Sequence, residues 1–90
     1  MAMLIDIRQP TWMHEEELRD QLAPHLPGVA IYCSLDEAAK DDVVMLTGIR
    51  LFPGVAASLP NLQLVQKLGA GVDAIVADPD LEPGVRVTRL

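Results

Sequence analysis

Leu59-Pro60-Asn61-Leu62-Gln63-Leu64-Val65-Gln66-Lys67-Leu68-Gly69-Ala70-Gly71-Val72-Asp73 is the stretch that decides the fold. Pro60-Asn61 makes a turn, because proline presets the backbone torsion and asparagine tolerates tight geometry. Leu62 to Leu68 then reads as a strand, with Leu62, Leu64, Val65 and Leu68 apolar. Gly69-Ala70-Gly71 is a tight turn, and Asp73 to Ala77 a short helix. A strand that enters a glycine turn and leaves as a helix is the repeating unit of a parallel α/β sheet.

The same alternation extends outward in both directions. Ala2 to Ile7 reads as a first strand with Asp6 its only charge. Thr11 is the expected cap of a helix reaching Ala23, with Glu15, Glu16 and Glu17 near its positive end and Leu18 and Leu22 on one face. Pro24 and Pro27-Gly28 end it. Val29 to Cys33 is a second strand, followed by a brief helix from Ser34 to Ala39. Val43 to Leu46 is a third, continuous and apolar as a central parallel strand should be. Gly48 to Gly54 is a loop, with a weak helix around Val55 to Leu59. Beyond the breakers Pro79 and Pro83-Gly84, Val85 to Leu90 is a fifth strand.

Five strands joined by right-handed crossovers predict a flavodoxin-like three-layer sandwich with a parallel sheet in the order 2-1-3-4-5, and no helix after strand five. Residues 1–90 are expected to be one domain, without internal repeats or linkers.

Composition narrows the function classes. Half the residues are apolar, mostly aliphatic, which supports a packed core. The net charge of −6 and the lack of a basic cluster argue against nucleic acid. No apolar run approaches the roughly 20 residues of a membrane span, and no secretory leader is apparent. The lone Cys33 excludes an internal disulfide, is expected to be buried and inert, and suits a reducing cytoplasm.

The glycine turn is the candidate site. Gly69 and Gly71 let a ligand approach the main chain, and unpaired amides at a helix start favour an anion. In open α/β sheets ligands lie at the carboxyl ends of strands, where this turn falls. Three readings stand side by side: a pyrophosphate turn, a plain strand–helix connection, and a cradle for a small carboxylate. Gly69 to Ala74 fits the dinucleotide pattern G-x-G-x-x-A. Against that reading, Gln66 and Lys67 precede it, Asp73 places a negative charge in it, and no acid follows roughly 20 positions on. Arg50, in the loop after strand three, lies toward the same end of the sheet and reads either as an exposed residue without a role or as one that attracts a carboxylate. His14, His25 and Trp12 read as surface and packing residues, and Asp41-Asp42 lies at the opposite end of the sheet.

Leu59 to Asp73, Ala77-Asp78-Pro79-Asp80-Leu81 and Pro83 to Leu90 together resemble the D-isomer-specific 2-hydroxyacid dehydrogenases, in particular their glyoxylate/hydroxypyruvate reductase branch. The resemblance is specific from about Leu59 onward and general in layout before it. It implies an oxidoreductase whose first, substrate-binding domain is this chain, truncated before the dinucleotide-binding domain that holds NAD(P). It implies that main-chain amides at Gly69, Ala70 and Gly71 hold the carboxylate of a small 2-oxoacid, or of the matching 2-hydroxyacid. It also implies that the Arg, Glu and His of the chemistry come later in the parent protein. The expected site is therefore Ala70, Gly71, Gly69 and Arg50, with no catalytic, metal or cofactor-binding residue in this chain. The rival expectation is a self-contained flavodoxin-like binding or interaction module with no enzymatic role.

The resemblance further implies that a helix from the end of the parent chain covers one sheet face, so this chain is expected to self-associate, as a side-by-side dimer or by exchanging elements between two copies. Hiding about 400 Å² of apolar surface on each of two copies is worth about 20 kcal/mol. Association costs of roughly 4–15 kcal/mol or more oppose it. Light scattering across a concentration series is expected to give a mass above the monomer's. A monomer mass at every concentration would overturn the expectation.

Overall fold

The computed structural model describes residues 1–8, 14–68 and 78–89. Its centre is a parallel sheet of five strands in the order β2-β1-β3-β4-β5. These are β1 (Ala2–Ile5), β2 (Ala30–Tyr32), β3 (Val43–Gly48), β4 (Leu64–Lys67) and β5 (Arg86–Arg89). The expected topology therefore holds. The alternation of apolar strands with breakers, each crossover turning the same way, leaves little choice once β2 and β3 lie on opposite sides of β1.

Strand lengths differ from the expectation in a consistent direction. Every strand but β3 is shorter than its apolar run, because a residue belongs to the ladder only where a neighbour pairs with it. Ile7 and Leu62 are buried yet lie outside the paired residues. β3 is longer and takes in Thr47 and Gly48, since it is flanked on both sides: Thr47 stands opposite Ile5 and Gln66, and Gly48 opposite Lys67.

The crossovers carry fewer helices than the sequence suggests. α1 (Glu15–Leu22) is the one α-helix among the described residues, followed by a 3-10 turn over Ala23–His25 that holds Pro24. Thr11, the expected cap, and Trp12 lie outside the described residues. The residue before Glu15 is His14, whose side chain makes no capping bond, and Glu15, Glu16 and Glu17 occupy the first turn, where the helix dipole favours them. Gly28, at φ 83°, makes the turn into β2 that an L side chain would resist.

Ser34 to Ala39 is not the helix expected. It is a pair of turns, with the Glu37 N–H donating to the Ser34 carbonyl and the Ala38 N–H to the Leu35 carbonyl, each at 3.2 Å. The segment is too short to offset helix nucleation, and the Ser34 hydroxyl instead accepts the Asp36 N–H at 3.3 Å. Val55 to Leu59 likewise tightens to a 3-10 turn over Ala56–Ser58.

Apolar side chains pack on both faces of the sheet. On one, Ala2, Leu4, Val43, Leu46, Val55, Leu59, Leu62 and Val65 form the larger cluster, with Phe52, Leu81 and Val87 against it. On the other, Met3, Ile5 and Ile7 meet Leu18 and Leu22 of α1. This second face also carries a polar row in register, Thr47, Gln66 and Thr88 on adjacent strands. Thr88 donates its hydroxyl proton to the Gln66 side-chain oxygen. The Thr47 hydroxyl is buried without a partner among the described residues.

No helix among the described residues is long and apolar enough to cross a membrane.

Candidate functional site

The carboxyl ends of β1, β3 and β4 converge on one end of the sheet. The connection from β1 leads outward to β2, and the next crossover returns to β3 on the other side of β1. The strand order thus reverses between β1 and β3, the position at which open α/β sheets commonly bind ligands.

The end of β1 is built around a buried acid. Asp6 is 5 % exposed, and its N–H donates to the Thr47 carbonyl at 2.8 Å. A carboxylate at this depth needs a counter-charge. Arg8 supplies it by donating from Nε to one carboxylate oxygen at 2.7 Å and from Nη2 to the other at 3.1 Å. To fold back over only two residues, Arg8 adopts φ 60°, a left-handed torsion unusual for a residue with a side chain. Its N–H donates to a Glu15 carboxylate oxygen at 3.3 Å, tying this loop to the start of α1. Between the ends of β1 and β2 lies an open cleft of about 450 Å³, lined by Asp6, Arg8, Glu15, Cys33, Ser34 and Asp36 among others.

The end of β3 adds Arg50 and Phe52. Arg50 is exposed, as the sequence suggests, and its guanidinium carbon lies 4.8 Å from the centre of the Phe52 ring. The Arg8 guanidinium carbon lies 4.2 Å from the same centre. Both cations therefore share one aromatic partner.

The end of β4 delivers the chain to the glycine turn. Gly48 stands opposite Lys67, and the N–H of Leu68 donates to the Gly48 carbonyl at 2.8 Å. Three of the four expected site residues, Gly69, Ala70 and Gly71, lie outside the described residues, as does Asp73. Leu68, immediately before them, is held beside the strand end from which the Arg50 loop departs.

Other residues fall where the sequence puts them, with one correction. His14 and His25 are exposed, and Asp41 and Asp42 precede β3 at the opposite end of the sheet. Cys33 was expected to be buried. It is half-buried, because β2 is an edge strand and Cys33 stands just beyond its last paired residue. Burial, the largest influence, pushes its thiol above the ordinary cysteine range, and Arg19 partly opposes the shift.

The sequence reading missed the joint role of Asp6, Arg8 and Phe52. Its signal was an acid ending an apolar strand with an arginine two residues on, a pattern that acquires meaning only once β3 brings Phe52 alongside. No family model, no curated protein and no solved structure matches this chain.

Proposed function

We propose that this chain is the substrate-binding domain of an NAD(P)-dependent 2-hydroxyacid oxidoreductase of the glyoxylate/hydroxypyruvate reductase kind. It holds the carboxylate of a small 2-oxoacid on main-chain amides at Ala70 and Gly71. One observation carries the proposal: the Leu68 N–H donates to the Gly48 carbonyl at 2.8 Å, so the glycine turn and the Arg50 loop start from adjacent strand ends. An anion drawn in by Arg50 thus arrives next to the turn whose amides are to receive it.

Two features weigh against a dinucleotide seated in this chain. The strand leading into the glycine turn is β4, one strand removed from the reversal between β1 and β3. At the reversal itself, the segment that follows β1, Asp6 to His14, contains no glycine to let a pyrophosphate approach the main chain. The residues here therefore do not fit NAD(P), and the cofactor belongs to another domain of the parent enzyme.

Two or three amides hold a carboxylate weakly, since each net hydrogen bond contributes about 0.5–1.5 kcal/mol. Affinity is expected at about millimolar or weaker, near −4 kcal/mol. Titration of the labelled chain with glyoxylate or oxalate is expected to move the amide signals of Gly69 to Asp73. The chain alone is expected to leave NADH absorbance unchanged in the presence of glyoxylate. Shifts confined to residues remote from that turn, or turnover above a buffer blank in a preparation free of host enzyme, would overturn the proposal.

A further inference from the structure

The Phe52 ring carries two cations of which one is neutralised. Arg8 and Arg50 place their guanidinium carbons 4.2 and 4.8 Å from its centre, so they lie no farther from each other than the total of those distances. Two like charges on one ring raise the positive potential around it, which favours a negative solute there. Asp6 answers for Arg8 alone, through the Nε and Nη2 bonds at 2.7 and 3.1 Å. Among the described residues, Arg50 makes no ion pair. The acids Glu15 and Asp36 line the cleft toward β2, whereas Arg50 follows β3 on the other side of β1.

The arrangement is also prepared in advance. Asp6 is buried and anchored by its N–H to the Thr47 carbonyl, so its carboxylate cannot follow a ligand outward. Its two-pronged grip orients the Arg8 plane, and Nη1 makes no hydrogen bond among the described residues. The left-handed backbone at Arg8, φ 60°, is held in place by these contacts. Strained residues cluster at ligand sites, and open α/β sheets bind ligands where the strand order reverses. The Arg8 side chain keeps 45 % of its surface exposed, so a solute can reach it.

We propose that Arg8 and Arg50, stacked on Phe52, form an oxyanion site for a carboxylate or phosphate group. The ligand of this domain then carries two anionic groups: one for the glycine turn and one for the arginine pair. The second half of that statement rests on the proposed function. The arginine site itself does not.

The test is an NMR titration of the full chain at fixed ionic strength, following the arginine Nε–H signals and the backbone amides. Four probes are compared: glyoxylate with one carboxylate, 2-oxoglutarate with two, succinate with two but no oxo group, and inorganic phosphate. 2-Oxoglutarate is expected to bind about tenfold more tightly than glyoxylate, because a charge-assisted guanidinium contact is added. It should move the signals of Arg8, Arg50 and Phe52, and Arg50→Gln, a change at an exposed side chain, should erase the gain. Phosphate moving the same signals more than succinate assigns the site to phosphoryl groups, and the reverse assigns it to carboxylates; either supports the site. Response of the arginine pair with a silent Gly69 to Asp73 turn supports the site and overturns the proposed function alone. Equal binding of glyoxylate and 2-oxoglutarate, unchanged by Arg50→Gln and with still arginine signals, overturns the site whether or not the turn responds.

Discussion

Replacing Gly48 by alanine is expected to destabilise the protein by about 2–3 kcal/mol. Gly48 is the last residue of β3 and is buried. A Cβ built there meets the Asp6 carbonyl oxygen closer than real Cβ atoms ever approach, and the carbonyl carbon at 3.3 Å. The obstacle is backbone, so no rotamer change relieves it. Gly48 does not have a left-handed torsion, so the cost is one of contact and not of backbone strain. Either β1 or β3 must move, and the Asp6 N–H bond to Thr47 at 2.8 Å lies between them. Overpacking costs about 1–3 kcal/mol, and weakening that bond about 0.5–1.5 more. Reduced freedom of the unfolded chain returns about 0.4–1 kcal/mol. Urea unfolding followed by circular dichroism measures the result. With a slope of about 1 kcal/mol per molar for a chain this small, the midpoint should fall by about 2 M. A midpoint within about 0.3 M of the parent's would show that β1 and β3 do not approach as described. Because Asp6 orients Arg8, the same substitution should also blunt the response of the Arg8 signal to anions.

Leu4→Ala is expected to have the larger effect, about 3–5 kcal/mol. Leu4 is fully buried in β1, opposite Tyr32 on one side and Leu46 on the other. It belongs to the cluster with Val43, Leu46, Val55, Leu59 and Val65. The strands around it are pinned by their ladders, so the space left by three lost carbons cannot collapse. At about 0.05–0.15 kcal/mol per residue, a domain of this size has roughly 5–13 kcal/mol in total. The variant should therefore lose about a quarter or more of its stability and melt well below the parent. Leu35, half-buried at the edge of the same cluster, serves as the control. Leu35→Ala removes the same atoms where solvent already reaches, and should cost under about 1.5 kcal/mol. Comparable losses for the two variants, measured by calorimetry, would mean that the core is not centred on β1.

Much of the architecture was legible in the residues alone. Aliphatic runs separated by Pro24, Pro27-Gly28, Pro60-Asn61 and Pro83-Gly84 specify strands and their ends by local chemistry. Five such strands joined by right-handed crossovers suit the doubly wound order 2-1-3-4-5, which therefore follows from the sequence. The position of Arg50 at the carboxyl ends of the strands follows from the same logic, because a residue just past a parallel strand has only one end to occupy. Element boundaries were less legible. The turns at Ser34 to Ala39 and the 3-10 geometry of Ala56–Ser58 reflect competition between short helices and side-chain or backbone turns, which differ by little in free energy.

What the sequence by itself determined is the sheet, its order and the apolar side chains that pack its two faces, since each rests on patterns a few residues long. Tertiary structure alone decided that Gly48 must lack a side chain, that the Asp6 carboxylate is buried and answered by Arg8, and that Arg8 and Arg50 both lie over one Phe52 ring. These groups come from two strands far apart in the chain. Their charges and contacts have no partner until β1 and β3 lie side by side, because Coulomb attraction and steric contact depend on distance in space and not on separation in sequence.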